Sequence, residues 1–421
     1  MWVVTPGGTM GSQQVAPLAG VRVIEVGVFM AAPFAAMQLA DLGADVVKVE
    51  NPAGGDQVRD VGPFLDGHSS PFARLNRNKR SLALDLKSAA GVSVLRRLAD
   101  RSDVLVENLR PGAMRRLGLA YEDLRRTNPR LVYVSASGWG QDGPLAALPG
   151  LDIMAQARSG LMSITGMPDG DPVKAGVPVA DLTCGLYGAL AATAALRARE
   201  LTGEGQHIDV SLLESAVSLA IWEAGKYFAT GESGRPLGSA HQSSAPYQAV
   251  RTADGWCTLG AVTPKTWTGL CTALGLPGLL ADPRYADAHD RHALRHELIP
   301  AIEAVTSGRP TARLVADLDA HGVPCAPIHD YAQVFTDGHL SERDFFWDAE
   351  HPALGGVRQL GSPMRFSATP ARRGPAGPPL GADTLDVLRE TGLAEDEIER
   401  LLADGVAARP APMTARIRPG E

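Results

Sequence analysis

Cysteine is scarce. The 421 residues hold four, Cys184, Cys257, Cys271 and Cys325, with no pair at C-x-x-C spacing. Neither a disulfide framework nor a zinc knuckle follows from that, and a reducing compartment fits. No sign of charge dominates either, since 40 Lys and Arg face 47 Asp and Glu for a net charge of -7. Non-specific nucleic-acid binding is therefore not expected, although a local basic patch can still hold a phosphate. The longest apolar run, Leu182 to Leu196, is fifteen residues, short of the roughly 18 to 20 that span a bilayer. The opening MWVVTPGGTMGSQQ lacks the basic and apolar regions of a secretory signal. Residues 1–15 read as a flexible extension, with Met10 as an alternative start. A cytoplasmic protein with no membrane or nucleic-acid partner is expected.

Several catalytic motifs are missing too. There is no H-E-x-x-H, no G-x-S-x-G elbow, and neither G-x-G-x-x-G nor Walker A spacing in AGGDQVR (residues 53–59). Metalloprotease, common serine hydrolase, nicotinamide and ATP sites are thus unsupported. His289, His292 and His296 have helical spacing but lie in a charge-rich segment, which reads as a solvated face rather than a metal site.

What is present is a βαβ rhythm. Val21 to Val26 and Val46 to Val49 are β-branched runs, separated by small apolar residues at helical spacing from Ala31 to Leu42. Strand, helix and strand within about thirty residues imply a parallel sheet buried on both faces. The pattern recurs with strands at Leu82 to Leu86, Val104 to Val106 and Leu131 to Ser135, and helices at Ala89 to Ala99 and Tyr121 to Thr127. The expected fold is α/β, with ligands beyond the carboxyl ends of the strands. Further helices are expected at Asp152 to Ile164, Leu182 to Glu200 and Leu212 to Phe228. The second is apolar on nearly every side, so it belongs in a core or an interface. TGESGRPLGSAHQSSAP (residues 230–246) is the clearest linker, a hairpin turns at Asp254 and Gly255, GVPCAPI (322–328) reads as a second linker, and a Pro/Gly/Arg-rich tail closes the chain. The domain boundaries this gives are an extension over 1–15, a large domain from 16–229 and 325–421, and a small domain over 230–324.

Asp181 is the most informative residue. An Asp just before a long apolar helix is first of all an N-cap, whose oxygen satisfies orphan amides. The same placement suits a fixed carboxylate nucleophile. Basic stretches RLNRNKRS (74–81) and ENLRPGAMRRLG (107–118) adjoin strands of the sheet, where Arg and Lys can meet a phosphate.

The strings LAGVRVIEVG, AAPFAAMQLADLGADVVKVENPAGGD, NRNKRSLALDLK, VENLRPGAMRRLGL, NPRLVYVSASGWG, VADLTCG and TGEGQHIDVSLLESA together resemble the family III CoA-transferases. That family includes formyl-CoA transferase, carnitine CoA-transferase and the α-methylacyl-CoA racemases, and the similarity covers about residues 17 to 370. It implies a Rossmann-like large domain made from both chain ends, a smaller middle domain, and two interlocked subunits. Asp181 matches the family's catalytic aspartate. Lys79, Asn108 and Arg116 match CoA contacts, and Asn78 and Val49 complete the expected CoA-binding set. Met30, Ser137, Leu151 and His241 are expected around the acyl group. Met30 replaces a glutamine, Asn51 a CoA-contacting arginine and Ser137 a lysine of formyl-CoA transferase, while GSAHQSSAP replaces its glycine-rich lid. Formate or oxalate specificity is therefore not implied.

The implied activity moves CoA from an acyl-CoA thioester to a carboxylic acid through an aspartyl mixed anhydride. Coenzyme A enters as substrate and product, and no permanently bound cofactor or metal is expected. The alternative is a racemase-type isomerase, which needs a proton carrier on each face of one carbon. The racemases place a histidine in a Gly-His-Asp string; here Gly150, Leu151 and Asp152 stand there, and leucine carries no proton.

Overall fold

The computed structural model describes residues 15–410. Met10 and the expected extension before residue 15 lie outside that range, as does the end of the tail. The described residues form two compact units: residues 15–161, 175–221 and 342–410 make one, and Met162–Lys174 with Trp222–Ser341 make the other.

The first unit is built on a seven-stranded sheet. Arg22–Val26 lies near its centre, flanked by Asp45–Glu50 and Val104–Glu107, both parallel to it. Lys79–Leu84 continues the sheet on one side, and Val132–Ser137 then His207–Ser211 on the other. These six strands are parallel. Ala407–Ala408 adds a short antiparallel strand beside Leu84 and Ala83. The chain runs outward to one side and then returns to the other side of its first strand. That reversal opens a crevice beyond the carboxyl ends.

Alternate residues of each strand feed two cores. Ile24, Val47, Leu82 and Leu105 pack with Leu95, Leu98, Leu388 and Ile398. Val23, Val46, Val104 and Val134 pack with Ala36, Leu39, Ala192 and Leu196 on the opposite face. Both faces are covered, which is why the strands read as continuous Val, Ile and Leu runs.

The longest helix, Val179–Thr202, buries Cys184, Gly188, Ala192 and Ala195 and leaves Leu186, Tyr187 and Leu190 exposed. Its 24 residues are long and apolar enough to cross a membrane by length and composition, so the fifteen-residue run understated it. Its inward face packs on the Ala31–Asp41 helix, where a Cβ on Gly185 would stand 2.8 Å from the Ala31 carbonyl oxygen. Glycine costs roughly 1 kcal/mol in a helix interior relative to alanine, and this close approach is what it permits.

In the second unit, Tyr247–Arg251 and Trp256–Gly260 form the expected hairpin. GVPCAPI is not simply a linker, because Cys325–Pro327 pairs with Trp256–Gly260 as a third strand. The boundaries also fall elsewhere than expected: residues 162–174 and 222–229 join this unit, and 325–341 stay in it. Gly238 donates its amide to the Gly166 carbonyl at 2.8 Å, which ties the early segment to the later one. The helices expected to run through Asp152–Ile164 and Leu212–Phe228 are each broken in two. The closing tail is likewise more ordered than its composition implies, with a hairpin of Phe346–His351 and Gly355–Leu360 and helices Thr384–Glu390 and Glu395–Ala403.

Candidate active site

Asp181 sits in the first turn of the Val179–Thr202 helix, but it is not the cap. Pro178 holds the cap position and offers no side-chain acceptor. The capping oxygen comes from Asp152, whose Oδ1 accepts the Ala180 amide at 2.9 Å and the Asp181 amide at 3.3 Å. Asp152 is fixed in turn by Gln156, which donates Nε2 to its Oδ2 at 2.6 Å and accepts the Ala175 amide at 2.9 Å. The other early amides are also engaged, Val179 with the Val177 carbonyl and Leu182 with that of Pro178. Asp181 therefore keeps its own carboxylate uncommitted. Burial, and then the neighbouring Asp152 charge, push its carboxyl up to about 7. A half-buried carboxyl so perturbed makes Asp181 a candidate functional residue.

Its chain neighbour Ala180 belongs to a cluster with Ala31, Ala136, Ala155, Cys184, Leu212 and Ala216. Met30, Ser137 and Asp181 each adjoin a member of this cluster in the chain. Ser137 is buried and accepts the Gly140 amide at 3.0 Å, so it shapes the turn that follows its strand. Gly138 and Gly150 meet backbone to backbone, a Cβ on Gly138 reaching 2.8 Å from the Gly150 Cα. That contact sets Leu151 and Asp152 beside the same turn. Leu151 is 62% exposed. His241 belongs to the second unit, where its ring stacks on Tyr247.

The loop leading to Met30 is held by three side chains. Lys48 donates to the Gly27 carbonyl at 2.9 Å. Asn108 accepts the Val28 amide at 2.9 Å and donates to the Val28 carbonyl at 2.8 Å. Asp56 accepts the Phe29 amide at 3.2 Å, fixing a left-handed aromatic residue with φ of 59°. Both polar ends of the Asn108 amide are thus spent on the loop, and its role is positioning.

Lys79 departs from expectation. Its ammonium is fully buried, 2.7 Å from Glu25 Oε2, and donates to the Pro33 carbonyl and Asn76 Oδ1, each at 2.8 Å. Lys48 joins the cluster through Glu25 at 2.6 Å and Asp56 at 2.9 Å. Burial holds Lys79 down at about 8, against the pull of Glu25. Burial opposes the charge on Lys48 as well, yet Glu25 and Asp56 raise it above the usual lysine range. A phosphate has no access to either amine. Asn78 is also buried, donating to Asp41 Oδ1 at 2.8 Å and to the Arg372 carbonyl at 3.2 Å. Both residues expected to contact CoA are thus engaged within the protein.

Val49 and Asn51 do line a cleft, of about 280 Å³, beyond the strand ends. Val26, Leu84 and Leu109 form its apolar wall and Lys87 its cationic edge. Arg116 is exposed at the end of the nearby Ala113–Arg116 helix, its guanidinium over Gly112. Among the described residues no group of three His, Cys, Asp or Glu could hold a metal.

Comparison with known proteins agrees with the fold and the sequence strings. CoA-transferase family III matches residues 18–384. A succinyl-CoA:glutarate CoA-transferase of Mus musculus is 38% identical over 96% of this chain and 93% of its own. A succinate–glutarate CoA-transferase of Agrobacterium fabrum is 39% identical, covering 89% of this chain and 95% of its own. A crystal structure of a CAIB/BAIF family protein from Brucella suis superposes with a TM-score of 0.82 at 36% identity, over 90% of this chain and all of that one. The chain belongs to CoA-transferase family III, an enzyme that moves CoA between an acyl-CoA thioester and a carboxylic acid.

Proposed function

We propose that the enzyme passes CoA from a succinyl-CoA-type donor to a small dicarboxylic acid of the glutarate class, with Asp181 as the covalent nucleophile. The substrate class rests on the two relatives named for succinate and glutarate. The nucleophile rests on one observation: an uncommitted, half-buried carboxylate at a helix start whose amides are already satisfied by Asp152.

The chemistry follows from the groups present. An Asp181 oxygen attacks the thioester carbonyl, and the tetrahedral intermediate expels CoA thiolate, leaving a mixed anhydride. The acceptor carboxylate attacks Cγ of Asp181, releasing the donor acid with the bridging oxygen and forming a second anhydride. Thiolate then attacks the acceptor acyl carbon and restores Asp181. No bond energy is lost to water, so neither ATP nor a metal is required. Desolvation favours the attack, because a poorly hydrated carboxylate gives up little solvation to react. With the helix-start amides occupied, stabilisation of the oxyanion falls to the turn around Gly138.

CoA then lies with its nucleotide in the cleft of Val49 and Asn51, and its phosphates toward Lys87 and Arg116. Met30, Ser137 and Leu151 face the acyl portion, and the enzyme works in the cytoplasm without a resident cofactor. A homodimer accounts for Leu186, Tyr187 and Leu190, large apolar residues left exposed on the long helix; sedimentation at nanomolar concentration should give twice the 44.2 kDa chain mass.

The test uses succinyl-CoA with glutarate labelled by ¹⁸O in its carboxylates. Glutaryl-CoA should form, and the Asp181 peptide should gain label, because the acceptor's bridging oxygen leaves with Asp181. Hydroxylamine added during turnover should convert Asp181 to a hydroxamate. Product formation with an unlabelled Asp181 would remove it as the nucleophile, and a full panel of carboxylic acids without glutarate turnover would remove the substrate class.

A further inference from the structure

Phe29 is held under strain without being packed. Its φ of 59° is left-handed, a conformation that a bulky side chain rarely adopts. The ring is 47% exposed and joins none of the hydrophobic clusters of the described residues. A single exposed apolar side chain is ordinary. One kept in an unfavourable backbone conformation is not, and such strain gathers at functional sites.

A buried group enforces the strain. Asp56 Oδ1 accepts the Phe29 amide at 3.2 Å and the Val58 amide at 3.0 Å, and the Lys48 ammonium stands 2.9 Å from its Oδ2. The two residues before Phe29 are equally fixed, Gly27 by Lys48 and Val28 by Asn108. None of these bonds requires an aromatic ring at position 29. Glycine would make the same backbone contacts at that φ without strain.

Chain order places the ring. Gly27 and Val28 line the cleft of Val49 and Asn51, while Ala31 packs in the cluster that includes Ala180, the neighbour of Asp181. Phe29 and Met30 therefore bridge the cleft and the surroundings of Asp181. An acyl-CoA with its nucleotide in the cleft and its thioester at Asp181 passes this bridge.

We propose that Phe29 covers the thioester end of the bound acyl-CoA and shields the Asp181 anhydride from water, suppressing a hydrolase activity latent in the site. The assignment rests on Asp181 forming that anhydride. Without the ring, water attacks the acyl carbon, the bond from that carbon to the bridging oxygen breaks, and the donor acid leaves as Asp181 regains its carboxylate. Of the two protons set free, CoA thiolate takes one and solvent the other. Keeping water from a reactive intermediate is a recognised use of a covered site.

The parent, Phe29→Gly and Phe29→Leu enzymes turn over succinyl-CoA with glutarate in ¹⁸O-water, and free CoA thiol, glutaryl-CoA and label in the released succinate are measured. Phe29→Gly should raise the ratio of free thiol to glutaryl-CoA at least tenfold and label the succinate. Phe29→Leu keeps apolar bulk and should hold the ratio within threefold of the parent. Phe29→Gly should melt no lower than Phe29→Leu, since glycine adopts this φ freely, which separates loss of the shield from loss of the fold. Adding Asp181→Ala to Phe29→Gly should abolish both products. A ratio within twofold of the parent in Phe29→Gly overturns the proposal. So does a change in its sedimenting mass, because the ring would then cover a subunit contact. Hydroxylamine distinguishes the two readings: no Asp181 hydroxamate in the parent removes both, whereas a hydroxamate with an unmoved ratio removes the shield alone.

Discussion

Asp152 Oδ1 accepts the amides of Ala180 and Asp181 at 2.9 and 3.3 Å, so the helix that carries Asp181 is capped from 28 residues upstream. The same carboxylate that completes the helix start places a like charge beside the reactive one. Capping and tuning are therefore one interaction, and substitutions can separate them.

Asp152→Asn keeps an oxygen acceptor and deletes the charge. Asp181 stands at about 7 in the parent, through burial first and Asp152 second. A group raised in this way is protonated below pH 7, so kcat/KM should fall on that acid side. The Asn variant should shift the acid limb to lower pH while melting near the parent. Asp152→Ala loses the cap as well, and should cost about 1 kcal/mol of stability. Matched pH–rate profiles and melting curves check both; an unmoved limb in the Asn variant would mean that burial alone sets Asp181.

Removing the Asp181 charge should stabilise the enzyme while stopping it. The folded carboxyl is raised from 3.8 to about 7. Its stabilising contribution is thus complete below pH 3.8 and is lost as pH rises through 7. Above pH 7 the fold carries an ionised, poorly solvated carboxylate. Asp181→Asn should therefore gain about 1–3 kcal/mol at pH 8, a gain that shrinks toward pH 4, and should lose at least about 10³-fold in turnover. Denaturant melts at several pH values read the sign. A loss of stability at pH 8 would show that the carboxylate has partners in the folded enzyme.

The parallel sheet was legible because both-face burial writes continuous Val, Ile and Leu runs, as at Val104 to Val106. Asp181 was legible as a helix-start carboxylate, but its cap was not, since nothing in the spacing of Gly150, Leu151 and Asp152 points to an amide in another helix. Lys79 misled for a related reason. A basic string predicts a surface cation, and only the fold shows Glu25 reaching it from the strand beyond Asp45–Glu50. The Thr384–Glu390 and Glu395–Ala403 helices were hidden by the Pro- and Gly-rich residues before them, although Ala407–Ala408 closes the sheet.

Gly185→Ala tests the helix contact behind the site. Alanine is the better helix former, yet its Cβ would lie 2.8 Å from the Ala31 carbonyl oxygen and 3.0 Å from Phe34 Cδ1. Overpacking of this kind typically costs about 1–3 kcal/mol. Because Ala31 follows Met30, the variant should also lose kcat. Unchanged stability with unchanged kcat would show that the two helices separate freely.

The last prediction contrasts two residues expected to serve CoA alike. Lys79 neutralises Glu25 in a fully buried cluster, so Lys79→Met leaves that carboxylate with Lys48 alone. Breaking a buried pair on one side costs about 3–5 kcal/mol. Replacing both members, as Glu25→Gln with Lys79→Met, should recover part of that loss, because the orphaned charge is gone. Arg116 is exposed at a helix end, and Arg116→Ala should change stability by less than about 0.5 kcal/mol. Its effect should appear instead as a raised KM for acyl-CoA, weaker at high salt in the parent and nearly salt-independent in the variant, since a phosphate contact at the surface is screened. Urea melts and CoA-dependence curves at two ionic strengths separate the two cases. A stable Lys79→Met enzyme with a raised KM for CoA would return Lys79 to the ligand, and would mean that the cluster opens when CoA binds.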